Sequence, residues 1–223
     1  MKKEELFKYV DHTALKADTS WEDIRKLCDE ALVFRMAAVC IPSSYVKRAH
    51  ESFPSLNICT VIGFPLGNAS TEAKLAEAQQ ALVDGANEID MMINLGWVRD
   101  KEFKKVTEEI RAVKELIGKN HILKVILETC YLDYDEKYAL CRCATKAHAD
   151  YIKTSTGFGT AGAVLEDVKM MRRTADPGVQ IKASGGIRTK QEMEDYINAG
   201  SKRIGTSRAI EILAKEDDEQ THA

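Results

Sequence analysis

The sequence predicts a (β/α)8 barrel, and the regular alternation of two kinds of segment carries that prediction. Short apolar runs recur along the 223 residues, separated by stretches with helical periodicity. We interpret the apolar runs as eight strands, at residues 9–13, 37–41, 58–63, 88–93, 123–129, 151–155, 179–184 and 203–205. Strands that alternate with helices favour parallel pairing, and eight such units are typical of this barrel. A doubly wound open sheet is the alternative, but polar residues follow many strands instead of clustering at one switch point.

The segments between the strands carry helix start signals. The N-cap and capping-box candidates are Ser70, Asp133, Thr19 with Glu22, and Thr189 with Glu192. No Pro/Ser-rich linker or low-complexity tract interrupts the pattern. We therefore expect one domain over residues 1–223, with a short acidic C-terminal tail from about residue 215.

Composition and charge limit the function classes. The net charge of −3 gives no strong basic field for nucleic acid, and no apolar run is long enough for a membrane span. The N-terminus lacks the apolar core of a secretion signal, and the six cysteines are scattered, which favours reduced thiols in the cytoplasm. No cluster of acidic residues and histidines has metal-ligand spacing, which disfavours a metal-assisted mechanism. We also expect no cofactor.

Two lysines stand in predicted strands, and each is followed by a turn rich in serine and glycine. Lys153 and Lys182 occupy consecutive strands, so their amines are expected about 5–7 Å apart. At about 6 Å and an effective dielectric constant near 20, two such charges repel by roughly 2.8 kcal/mol, which favours the neutral form of one amine. A buried neutral lysine suits Schiff-base formation with a carbonyl. The alternative is that both side chains point outward to solvent.

Acidic residues also lie within predicted strands. Asp90 and Asp11 are candidates for proton relay beside a lysine, and the alternative for each is a buried ion pair with a structural role. Lys124 and Glu128, both assigned to strand five, are expected to pair within the barrel in a supporting role. His12 is expected to be a core or rim histidine and not a metal ligand.

Two glycine-containing turns suit a phosphate group. Gly185 and Gly186 follow predicted strand seven, while Gly205 and Ser207 follow predicted strand eight. Barrels often bind phosphate between these two loops, where backbone N–H groups can approach an anion. A glycine that serves only the turn is the alternative.

Five sequence runs together resemble the deoxyribose-phosphate aldolase family. They are DHTALK at 11–16, TVIGFPLG at 60–67, EIDM at 88–91, KTSTG at 153–157 and KASGGIRT at 182–189. The likeness extends from about residue 9 to about residue 208. It implies a class I aldolase on a (β/α)8 barrel that reversibly cleaves 2-deoxy-D-ribose 5-phosphate to acetaldehyde and D-glyceraldehyde 3-phosphate.

The resemblance also implies residue roles. Lys153 takes the Schiff-base role, Lys182 is the neighbouring amine that favours its neutral form, and Asp90 gives and accepts protons. Asp11 is expected near a substrate hydroxyl. The residues implied for the substrate phosphate are Gly157, Gly185, Gly186, Gly205 and Ser207. Partners are then small phosphosugars and aldehydes, with neither nucleic acid nor membrane, and both a homodimer and a homotetramer stay open.

Two other functions fit the same residues. A lysine aldolase for a different phosphorylated sugar would keep Lys153 and the phosphate turns. A phosphosugar-binding barrel without catalysis would have little need for Lys153, Lys182 and Asp90 together, and trapping with borohydride separates it from an enzyme.

Overall fold

Eight parallel strands close into a barrel in the computed structural model, which describes the backbone of residues 1–220 and the side chains of residues 1–214. The strands are β1 Val10–Thr13, β2 Ala38–Ile41, β3 Ile58–Ile62, β4 Glu88–Met92, β5 Ile122–Ile126, β6 Tyr151–Lys153, β7 Gln180–Ser184 and β8 Ser201–Thr206. Each pairs with its neighbour along the chain, and β1 also pairs with β8. The predicted (β/α)8 barrel is confirmed.

Ten α-helices lie in the described backbone. They are α1 Lys3–Phe7, α2 Trp21–Val33, α3 Val46–Ser52, α4 Thr71–Val83, α5 Leu95–Arg99, α6 Phe103–Ile117, α7 Tyr134–Lys146, α8 Leu165–Thr174, α9 Lys190–Asn198 and α10 Ala209–Gln220. None of the helices in this part of the chain is long and apolar enough to cross a bilayer. The predicted acidic tail falls partly in α10 and partly beyond the described residues.

The helix starts follow the capping chemistry. Ser70 and Asp133 cap α4 and α7, and Thr189 forms a capping box with Glu192 at α9, as predicted. The box predicted at Thr19 is wrong by one residue. The Ser20 side chain accepts a hydrogen bond from the backbone N–H of Asp23, and the Asp23 carboxylate accepts one from the backbone N–H of Ser20. The prediction missed by one residue because both Thr19 and Ser20 are hydroxyl residues followed three positions later by an acid.

Strands five and six are shorter than predicted. β5 ends at Ile126 because Glu128 adopts a left-handed conformation (φ 55°) and a 3-10 turn follows at Thr129–Tyr131. β6 ends at Lys153, which places this lysine at the carboxyl end of its strand. In parallel barrels this end carries the active-site loops.

The apolar core lies mainly between the barrel and the helices. A second, small apolar cluster lies inside the barrel and consists of Ala38, Cys40, Cys59 and Val61. The rest of the interior differs from the packed aliphatic layers usual in such barrels. Lys124, Lys182, Asp11 and Asp90 are fully buried there, so charged groups occupy the centre of the fold.

Candidate active site

Strand register brings the predicted charged residues together. Lys153 pairs with Lys182 across β6 and β7, and Asp90 pairs with Lys124 across β4 and β5. Since neighbours in register point to the same face of a sheet, these four side chains share the barrel interior. The alternative in which the two lysines point out to solvent is wrong, because Lys153 and Lys182 are both buried.

Asp90 lies at the centre of the cluster. Its Oδ2 accepts hydrogen bonds from Lys153 Nζ at 2.7 Å and from Lys182 Nζ at 2.9 Å. Its Oδ1 accepts from Lys124 Nζ at 2.8 Å. One carboxylate therefore holds three amines, and its Oδ2 lies between Lys153 and Lys182, so the repulsion expected for two isolated lysine charges is offset.

Asp11 anchors the far side of the cluster. Its Oδ2 lies 2.5 Å from Lys182 Nζ, and its Oδ1 lies 2.5 Å from an Arg203 nitrogen. Arg203 also pairs with Glu88 at 2.8 Å, and Glu88 pairs with Lys124 at 2.5 Å. Sequence reasoning gave Lys124 only a supporting role and missed Glu88 and Arg203. The signal was available for Glu88, which is two residues before Asp90 and so shares its face.

The buried charges stabilise one another. Burial raises the pKa of Asp90, but attraction by Lys124, Lys153 and Lys182 outweighs it and holds that pKa well below its usual range. Burial lowers the pKa of Lys182, but Asp11 and Asp90 outweigh it and raise that pKa above its usual range. Lys182 is therefore a cation and Asp90 an anion at neutral pH.

We expect Asp11 to make stability depend on acidity. Burial raises the pKa of Asp11, but Lys182, Lys124 and Arg203 lower it from 3.8 to about 2. Because the unfolded chain binds this proton more readily, the free energy of unfolding should fall as pH drops from about 4 to about 2, by roughly 2 kcal/mol for this group. Urea unfolding across that range measures the effect. An Asp11→Asn variant with an equally steep loss of stability would contradict it.

A cavity of about 1160 Å³ opens at the carboxyl ends of the strands. Of the three lysines that contact Asp90, Lys153 alone lines it. Lys153 pairs with one carboxylate, whereas Lys182 pairs with both Asp11 and Asp90. The amine of Lys153 is thus the one placed to meet a molecule in the cavity. Asp11 lies below it, against Lys182 and Arg203.

All residues predicted for the substrate phosphate line the same cavity. They are Gly157, Gly185, Gly186, Gly205 and Ser207. The first three have positive φ angles of 89°, 82° and 74°, a conformation that favours glycine. At Gly205 the constraint is space and not backbone conformation. A Cβ there would lie 2.8 Å from Ser184 Cβ and 3.1 Å from Lys182 Cε, so this glycine leaves room for the lysine.

Two further sequence predictions concern residues beside the cluster. The predicted pairing of Lys124 with Glu128 is wrong, because the strand ends before Glu128 and its carboxylate accepts hydrogen bonds from Thr156. His12 is buried at the cavity wall, where its Nε2 lies 2.8 Å from Glu30, in line with a rim histidine.

One group of donor atoms has metal-like spacing. Among the described residues, Cys40, Cys59 and Asp90 place ligand atoms within 4.8 Å of one another. Both oxygens of Asp90 already accept hydrogen bonds from ammonium groups, which compete with a further cation. That the protein needs no metal stays a prediction.

A barrel that presents a buried amine to a cavity at the carboxyl ends of its strands has the architecture of a lysine-dependent aldolase. Residues 6–209 match the family described as DeoC/LacD family aldolase. The chain therefore belongs to this family.

Relatives and solved structures agree with that membership. A protein named deoxyribose-phosphate aldolase from Clostridium botulinum (strain Alaska E43 / Type E3) is 55% identical over 97% of this chain and 98% of its own length. A protein of the same name from Clostridioides difficile (strain 630) is 50% identical over 95% of this chain and 97% of its own length. The aldolase QR15 superposes with a TM-score of 0.91 at 35% identity, covering 97% of this chain and 98% of its own. The tetrameric deoxyribose phosphate aldolase from Aeropyrum pernix superposes with a TM-score of 0.86 at 33% identity, and the match covers 97% of this chain and 92% of that chain.

Proposed function

We propose that the protein is a class I aldolase that reversibly cleaves 2-deoxy-D-ribose 5-phosphate to acetaldehyde and D-glyceraldehyde 3-phosphate. The observation that carries the proposal is the position of Lys153, whose amine faces the cavity while it contacts the Asp90 carboxylate. The relatives from Clostridium botulinum and Clostridioides difficile, which are 55% and 50% identical to this chain, are named for this activity.

In the proposed reaction, the uncharged amine of Lys153 attacks the aldehyde carbon, and loss of water gives an iminium. The bond between C2 and the hydroxyl-bearing C3 then breaks: the C3 hydroxyl loses its proton, C3 leaves as the aldehyde of D-glyceraldehyde 3-phosphate, and the electron pair of the broken bond moves into the iminium to form an enamine. Protonation of the enamine carbon and hydrolysis release acetaldehyde and restore Lys153.

Proton transfer falls to the groups next to Lys153. The Lys182 ammonium can donate a proton, and Asp90 contacts both amines, so it can pass protons between them. Asp11 contacts Lys182 without lining the cavity, so we assign it the task of holding Lys182 in place.

We assign the substrate phosphate to the turns that follow β6, β7 and β8. Ser207→Asp places a carboxylate there and should lower kcat/KM for deoxyribose 5-phosphate roughly 10²-fold through charge repulsion. The effect on unphosphorylated deoxyribose should be small, and Ser207→Ala is the matched uncharged control. Steady-state kinetics on both sugars decide the matter. Equal losses on the two sugars would place the phosphate elsewhere.

Acetaldehyde release is the direct test of the function. The purified protein is incubated with deoxyribose 5-phosphate in EDTA, and the acetaldehyde released is measured directly by gas chromatography. Turnover of a different phosphosugar in preference to this one would indicate another lysine aldolase. If the protein binds deoxyribose 5-phosphate tightly but neither cleaves it nor is labelled by acetaldehyde and borohydride, it is a binding protein.

The cellular compartment and the oligomeric state of the protein are also part of the proposal. We propose a single-domain enzyme of the cytoplasm that forms a homodimer or a homotetramer. The six free cysteines support a reducing compartment, and the tetrameric aldolase from Aeropyrum pernix supports self-association.

A further inference from the structure

Glu128 is a buried carboxylate that stands apart from the interior charge cluster. Its side chain is 2% exposed, and no lysine, arginine or histidine of the described residues forms an ion pair with it. A buried carboxylate without a cation is costly unless hydrogen bonds satisfy its oxygens. Both hydrogen bonds come from one residue: the backbone N–H of Thr156 donates to Oε1 at 3.1 Å, and the Thr156 hydroxyl donates to Oε2.

The backbone around Glu128 is shaped to make this contact. Glu128 is in the left-handed region (φ 55°, ψ 64°), which is uncommon for a residue other than glycine. The backbone N–H of the next residue, Thr129, donates to the Thr154 carbonyl at 3.0 Å. The chain therefore leaves β5 early and directs a carboxylate to the end of β6.

The loop after β6 closes directly on this carboxylate. A Cβ on Gly159 would lie 2.7 Å from the Cys130 sulfur and 3.0 Å from Glu128 Cδ, so a side chain there would displace one of these two neighbours. The Thr156 hydroxyl oxygen also accepts a hydrogen bond from the Phe158 N–H at 2.9 Å, which closes the turn around Gly157. Glu128 is thereby joined through Thr156 to a turn whose residues line the cavity.

We propose that Glu128 is a positioning residue for substrate binding: through Thr156 it fixes the turn that presents Gly157 to the phosphate. The ligand class, a phosphorylated sugar, rests on the proposed function. A carboxylate suits the task because Thr156 offers two donors and a carboxylate offers two acceptors. Glutamine has the same shape but would turn an NH2 group toward one of those donors.

A double-mutant cycle tests the inference. Glu128→Gln and Thr156→Val should each raise KM for deoxyribose 5-phosphate roughly tenfold, and the double variant should be no worse than either single variant. Thr156→Ser keeps both donors and should behave like the wild type. Borohydride trapping of acetaldehyde on Lys153 should stay within about twofold of the wild-type rate, because the β6 strand itself is unchanged. Additive effects on KM, or trapping that falls in step with KM, would overturn the positioning role.

Amide hydrogen exchange gives a readout that does not depend on the substrate. Both single variants should speed exchange in the peptide that contains residues 156–158 and leave the peptide of β6 unchanged. If the wild-type protein does not cleave deoxyribose 5-phosphate but these exchange rates rise, the proposed function fails and the positioning role stands. If the exchange rates do not rise, the inference is wrong whatever the activity.

Discussion

Lys153→Leu should abolish acetaldehyde release, with a loss of at least roughly 10⁴-fold, the order expected when a covalent nucleophile is removed. The physical reason is that Lys153 is the amine that both lines the cavity and contacts Asp90, so no other group can replace it. In the wild-type enzyme, borohydride with acetaldehyde should reduce the imine to an N-ethyl group on Lys153. Peptide mass spectrometry locates that group.

A second lysine of the cavity wall provides the matched control. Lys26 lines the cavity but lies at its exposed edge, 3.9 Å from Glu30. Lys26→Leu should keep both turnover and the label. A label found on Lys182 in the wild-type enzyme would reverse the roles of the two interior lysines, and one found on Lys26 would place the chemistry outside the barrel interior.

Asp90→Asn should lower both activity and stability. Asparagine keeps the shape but removes the negative charge that three lysine amines contact, so we expect the free energy of unfolding to fall by about 3–5 kcal/mol. Activity per folded molecule should fall roughly 10²-fold or more, the range of general acid–base effects. Denaturant unfolding and steady-state kinetics measure the two losses separately.

The Lys74–Glu109 pair separates the two effects. It is a buried ion pair of 2.9 Å between α4 and α6, outside the barrel. Glu109→Gln should lower stability as Asp90→Asn does, but activity per folded molecule should stay near that of the wild type. If both variants lose activity to the same degree, the loss at Asp90 reflects instability and not proton transfer.

The barrel and its two central lysines were predictable because both follow from short-range rules. Strand and helix alternate along the chain, and two lysines in consecutive strands, each followed by a serine- and glycine-rich turn, predicted that Lys153 and Lys182 both face the interior, which the register of β6 and β7 confirms. The glycine turns were predictable for a similar reason, since each directly follows a strand.

The partners of the charged groups could not be predicted from the same rules. Glu128 was assigned to β5, but its left-handed backbone ends the strand early and turns the carboxylate toward Thr156. Nothing local to the sequence specifies that conformation. Gly162 was also missed: a Cβ there would lie 2.2 Å from the Gly185 carbonyl oxygen, a contact between the loops after β6 and β7 that exists only in the folded protein.

The interior charge cluster also sets the net charge around Lys153 during the proposed reaction. Its described side chains are four basic residues, Lys124, Lys153, Lys182 and Arg203, and three carboxylates, those of Asp11, Glu88 and Asp90. With Lys153 uncharged, as attack on a carbonyl requires, three cations balance three anions. The iminium then creates a positive charge on the Lys153 nitrogen, beside the Asp90 oxygen that contacts this amine at 2.7 Å in the free protein. The barrel thus supplies a counter-ion in advance for the charged intermediate.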